Sequence, residues 1–88
     1  MSEINAQRAS WAQVAIRAFS EEVNSENTGE AVGDLLCDIG HFCDRAGLDY
    51  LLVVAHAIGV WHAEKRDPIG LAPEPNVVVI VDGKGMRA

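Results

Sequence analysis

The sequence predicts a mainly α fold: a three-helix arrangement built on a helical hairpin, with a C-terminal extended segment or single β-strand. Three observations predict it. Apolar residues recur at spacings of three and four through most of residues 2–66, the periodicity of a helix with one buried side. A short break at Gly47-Leu48-Asp49 separates two of these segments, tight enough to send the chain back antiparallel. All three prolines fall between residues 67 and 75, and a β-branched run follows them. The chain therefore divides into a helical domain at 1–67, a Pro-rich linker at 68–75 and a strand or tail at 76–88.

Ser2 is placed to cap a first helix that reaches Val23, with a stripe of Ala9, Ala12, Ile16, Phe19 and Val23 widened by Trp11 and Ala15. Residues 24–28 are polar and short-chained, as a loop requires. Asn27 or Thr28 can cap the second helix, and Glu30 sits in its first turn, where the helix dipole favours a negative charge. That helix covers residues 29–46. Its expected buried stripe is Val32, Leu35, Leu36, Ile39, Cys43 and Ala46, with Asp34, Asp38, His41 and Arg45 on the other side. Gly47 falls where a left-handed residue closes a helix, and Leu48 takes the following hydrophobic position of a Schellman turn. Asp49 then caps a third helix, Leu48 and Val53 are spaced for a hydrophobic staple, and Pro68 stops the helix near Lys65 or Arg66.

Between Leu48 and Trp61 only Asp49, His56 and Gly59 are not apolar. A helix without a polar side must be covered on more than one side. A chain of 88 residues buries only roughly 60 to 65% of its unfolded surface, so association with another chain is the natural way to cover it. Residues 51–61 are also rich in β-branched side chains, and pattern alone fits a strand as well as a helix; the cap and staple before them favour the helix. The linker is expected to leave the bundle in extended form. Val77, Val78, Val79, Ile80 and Val81, closed by Asp82-Gly83, then read as a strand. One strand cannot satisfy its own backbone, so its partner is expected from a symmetry-related copy, a binding protein or a strand within 51–61.

Seven basic against thirteen acidic residues give a formal charge of −6, which argues against docking on nucleic-acid phosphates or anionic membranes and favours basic protein surfaces. Residues 50–61 are too short to span a bilayer, which takes about 20 apolar residues. Cys37 and Cys43 lie about 120° apart around one helix and cannot bridge each other. Two lone thiols, and a start with neither a basic leader nor an apolar core, point to a cytoplasmic setting. Cys37 and His41 share a helix face near Asp34, Asp38 and Asp44, but no CxxC or HxxxH pair completes a zinc site. They read instead as a half-buried thiol and a surface imidazole paired with Asp38 or Asp44. His56 reads as a core or interface histidine, a pH-sensitive contact if buried. Ser10 and Ser20 lack a His and Asp context, and Gly83-Lys84-Gly85 is too short for a phosphate loop. Trp11 and Trp61 read as core or interface anchors. The expectation is a chain that is not an enzyme, with no catalytic, cofactor or metal site.

Two resemblances bear on function. The acidic row Glu30, Asp34 and Asp38, flanked by Glu26 and Asp44, resembles helical pyrophosphohydrolases of the all-α MazG group, which hold magnesium between carboxylates. Their pattern pairs ExxE on one helix with ExxD on another, and neither stands here in register; Glu64 and Asp67 have the second spacing, but beside Pro68. Residues 34–41 (DLLCDIGH), 44–50 (DRAGLDY) and 62–64 (HAE) resemble a pattern of small helical proteins of bacteria and phages, roughly DLLxDLxH, DxxGLDF and HYxxE. That resemblance spans about 35 of the 88 residues and implies a helical hairpin and a cytosolic or mobile-element origin, without an activity. Tyr50 stands where that pattern has Phe, and Trp61 precedes His62 where a His-Tyr pair is expected.

The reading these observations favour is a small acidic interaction protein, a homodimer that binds and occludes a protein partner. The specific version is a phage or mobile-element inhibitor of the anti-CRISPR kind, whose negative face stands in for nucleic acid on a basic surface. The alternatives are a MazG-like metal-dependent nucleotide pyrophosphohydrolase and an antitoxin-like structural partner whose tail folds on binding. The candidate interface is Tyr50, Val54, His56, Trp61, Val77, Val79 and Val81, and the candidate acidic face is Glu30, Asp34, Asp38 and Asp44.

Overall fold

The computed structural model describes residues 3–87; the expected cap Ser2 lies outside them. The chain is mainly helical, with α1 at Glu3–Val23, α2 at Thr28–Ala46 and α3 at Tyr50–Arg66, followed by β1 at Val78–Val81 and β2 at Lys84–Arg87. The local signals set the boundaries. The Asn27 side chain accepts from the Glu30 amide at 3.0 Å, and the Asp49 carboxylate accepts from the Leu52 amide at 3.2 Å. Each cap satisfies an amide that the first turn leaves without a helical partner. Gly47 takes a left-handed φ of 75°, and the Leu48 amide reaches back to the Cys43 carbonyl at 2.9 Å, the six-residue closure of a Schellman turn.

Helix α1 packs chiefly on α2, and α2 meets α3 beside the turn. There the Tyr50 ring lies flat enough on α2 that a Cβ at Gly40 would fall 3.0 Å from two ring carbons, and its hydroxyl donates to the Leu36 carbonyl. The buried apolar residues are Ala31, Cys43, Ala55 and Ala63. Close approach of backbones through small residues is therefore what joins the elements. This corrects the stripe expected on α2: of its members Cys43 is buried and Leu35 half-buried, while Val32, Leu36, Ile39 and Ala46 remain exposed. On α1 the expected stripe holds at Ile16 and Phe19, which are half-buried, but Ala9, Ala12 and Val23 are exposed. Periodicity names the side of a helix that can be buried; the contact is made by whichever positions allow the neighbouring backbone closest.

The tail departs from expectation in its route. Asp67 ends α3, its carboxylate accepting from the amides of Ile69 and Leu71 at 3.2 Å each, and Gly70 at φ 83° completes a turn. The chain does not lead away from the bundle. It folds back along α3, where a Cβ at Gly59 would lie 3.4 Å from a Val77 methyl carbon and 3.8 Å from the Pro75 carbonyl oxygen. The partner of β1 is none of the three expected. Val78–Val81 pairs antiparallel with Lys84–Arg87 of the same tail. Asp82 and Gly83 both have positive φ, 52° and 76°, as a two-residue type I′ hairpin turn demands. Asp-Gly marked the end of a strand in the sequence and also the start of its partner. Residues 51–61 are helical throughout.

The assembly is open. Its extents are 39 × 37 × 21 Å and its radius of gyration 14.6 Å, against about 12 Å for a compact chain of this length. It exposes 6796 Å², whereas a compact monomer of its mass exposes roughly 5,000 Å². Among the described residues no large side chain is fully buried.

Candidate interaction surfaces

The seven residues expected at an interface separate into two groups. Tyr50 is half-buried and engaged within the chain by Gly40 and Leu36; Val54, Val77 and Val79 are also half-buried, with Val77 seated on Gly59. His56, Trp61 and Val81 are exposed. The burial expected of His56 does not occur: its imidazole stands in solvent with Nδ1 3.9 Å from a Glu74 carboxylate oxygen, linking α3 to the linker. Trp61 is 57% exposed, and the Lys65 ammonium lies 4.6 Å from its ring centre. That placement is favourable for a cation over an aromatic face, worth on the order of 0.5–1 kcal/mol at an exposed site.

Trp61 forms one wall of a groove of about 600 Å³ between α1 and α3, with Ala9 and Ala12 on the opposite wall. One end is closed by a polar cluster. The Arg8 guanidinium reaches Glu64 at 2.9 Å, the Asn5 side-chain oxygen at 2.8 Å and the Pro68 carbonyl at 3.0 Å. Asn5 in turn donates to the Glu64 carbonyl at 2.9 Å. This cluster ties the start of α1 to the end of α3. Nothing in the sequence pattern flagged it, because Asn5 and Arg8 sit in the first two turns of one helix and Glu64 is more than fifty residues away. A solvent-facing charge and a tethering charge look alike in sequence.

The candidate acidic face lies on α2. Glu30, Asp34, Asp38 and Asp44 are all exposed, and none of them takes part in an ion pair among the described residues. His41 is exposed and makes no bond to Asp38 or Asp44, correcting the pairing expected there. Cys37 is exposed rather than half-buried, and Cys43 is buried. Among the described residues no three His, Cys, Asp or Glu side chains converge on a common point. Glu64 and Asp67, the ExxD-spaced pair, have structural roles, the first with Arg8 and the second in the turn after α3. No described helix is long and apolar enough to cross a membrane.

Compared with protein-family models, with curated proteins and with solved structures, the chain matches none.

Proposed function

We propose that this chain is a self-associating, acidic interaction module without catalytic activity, which binds a partner protein and occludes a basic surface on it. One observation carries the reading: the chain exposes roughly 1,700 Å² more than a compact monomer of its mass would. An excess of that size, rich in Trp11, Phe42, Trp61 and Leu71, is a surface suited to protein contact. The carboxylates of α2, exposed and without an ion pair among the described residues, supply the sign of the partner. Glu30, Asp34 and Asp38 follow one another at about one helical turn each, a linear array of negative charge that a groove built for phosphates would accept. The specific form is an inhibitor of a nucleic-acid-cutting defence protein, and the resemblance to small phage proteins supports that setting.

The test is phage growth. Expressed in hosts that each carry one active nuclease-based defence system, the chain should restore plaque formation in at least one of them. Asp34→Lys combined with Asp38→Lys should abolish the rescue while leaving the helical circular dichroism unchanged, because both side chains are exposed. Failure to rescue in every such host, with folded protein accumulating, would rule the inhibitor out. Rescue that survives the double charge reversal would remove the acidic face from the mechanism.

A further inference from the structure

Small residues open the groove between α1 and α3. At about 100° per residue Asn5, Arg8, Ala9 and Ala12 share an arc of about 100° on α1, and Trp61, Glu64 and Lys65 share an arc of about the same width on α3. Ala9 and Ala12 end at Cβ, so a hollow of about 600 Å³ is left between them and the Trp61 indole. Small-molecule sites usually measure roughly 300–1,000 Å³, with apolar walls and a few polar groups that orient the ligand.

Charge sets this groove apart from the rest of the surface. The chain as a whole carries −6, yet of the three ionised side chains that line the groove among the described residues, two are cations. Glu64 is matched by Arg8 at 2.9 Å. Lys65 forms no ion pair among the described residues, and its ammonium lies over the Trp61 ring, 4.6 Å from the centre. The neighbouring carboxylates point elsewhere. Glu3, in the first turn of α1, lies about 170° around the helix from the middle of the groove arc, and the Asp67 carboxylate is engaged by the amides of Ile69 and Leu71. The charge left uncompensated at the groove is therefore a single positive one, set against an aromatic wall.

We propose that this groove binds a small aromatic carboxylate, with its ring between Trp61 and the two alanines and its carboxylate against the Lys65 ammonium. The flat body follows from the walls. An indole on one side accepts a ring in offset or edge-to-face contact, and two side chains that end at Cβ leave a smooth surface opposite. The anion follows from Lys65: a carboxylate there gains a charge-assisted hydrogen bond, whereas a cationic ligand would meet an ammonium already in place. The inference goes beyond the interaction role proposed above and does not rest on it.

The test is a titration of 2-naphthoate into the nitrogen-15-labelled chain, followed by NMR at the indole N–H resonances of its 2 tryptophans, which Trp11→Phe assigns. The Trp61 resonance should move saturably. The Trp11 resonance should stay in place, since Trp11 lies about 110° around α1 from the middle of the groove arc. The uncharged 2-naphthylmethanol should bind about threefold more weakly, the size expected of one partly solvated ion pair, and in Lys65→Gln the two probes should bind equally. Ala12→Leu fills the groove from a position that is exposed; it should weaken 2-naphthoate by about tenfold or more with helical content unchanged, and Ala9→Leu is the second route should the first variant lose helix. A Trp61 resonance unmoved by about 5 mM 2-naphthoate, far above the range of a specific site, would overturn the proposal. Equal affinity of acid and alcohol for the parent chain, or a preference that survives Lys65→Gln, would overturn the choice of an anion. Affinity retained in both leucine variants would place the ligand outside the groove. A Trp61 resonance that moves with protein concentration alone would give the groove to a second copy and overturn the small ligand as its occupant.

Discussion

Single residues of this chain act mainly through how little space they take. Gly59 lets the tail lie against α3, since a Cβ there would already sit 3.4 Å from a Val77 methyl carbon. Alanine would need an adjustment of a few tenths of an ångström, offset by the helix preference that alanine holds over glycine, about 1 kcal/mol. Gly59→Ala should therefore leave the melting temperature within about 5 °C of the parent. Leucine has no such route, because a Cβ there already meets the Val77 methyl carbon, the Pro75 carbonyl oxygen and a Glu74 carboxylate oxygen within 4 Å, and three further carbons must be placed beyond it. Gly59→Leu should lift the hairpin from the helix and expose 68–77 to limited proteolysis, with the amides of β1 exchanging freely while those of α2 keep their protection. A detached two-stranded hairpin is marginal in water, so a Gly59→Leu chain with β1 still protected would show that the tail is held elsewhere. The small residues were visible in the sequence as Ala55, Gly59 and Ala63, four apart on one side of the third helix. These three are the buried residues of that helix, while Leu52, Val53, Ile58 and Trp61 beside them stay exposed; an apolar run in sequence does not mark which of its positions the neighbouring chain approaches.

At the scale of elements, the parts governed by short-range rules were legible and those governed by distant partners were not. The Asn27 and Asp49 caps, the Gly47 turn and the stop before Pro68 each depend on a few neighbouring residues, and each was readable as such. The hairpin was half legible: Asp82-Gly83 is a type I′ turn signal, yet Lys84–Arg87 has no β-branched residue to mark a second strand by propensity. The groove was not legible, because it exists only where the start of α1 meets the end of α3. Its geometry hangs on Arg8, which bridges Glu64, Asn5 and Pro68. The ion pair is about one-third solvated on each side, so its own worth is modest, on the order of 1 kcal/mol; the hydrogen bonds it organises add a comparable amount. Arg8→Ala should thus cost about 1–2 kcal/mol in denaturant unfolding, with faster amide exchange in the first three turns of α1. Arg8→Lys keeps the charge but not the fork, and should recover less than half of the loss. Equal protection of α1 in parent and Arg8→Ala chains would show that its position is set by α2 alone.

For the whole molecule the governing quantity is the ratio of core to surface. A chain with no large side chain fully buried among its described residues and with 6796 Å² exposed has little internal apolar contact to set against the entropy of ordering 88 residues. The self-association proposed above would supply part of the missing cover, and mass action makes that dependence measurable. For a dimer that unfolds to two separated chains, each tenfold rise in concentration adds about 1.4 kcal/mol per dimer, or about 0.7 kcal/mol per chain. In a domain of this size 1 kcal/mol moves the melting temperature by about 4–8 °C. Between 2 and 200 µM the midpoint should therefore climb by about 6–11 °C. A melting temperature independent of concentration over that hundredfold range would mean that the open arrangement is stable in a single copy, and would remove self-association from the proposed function.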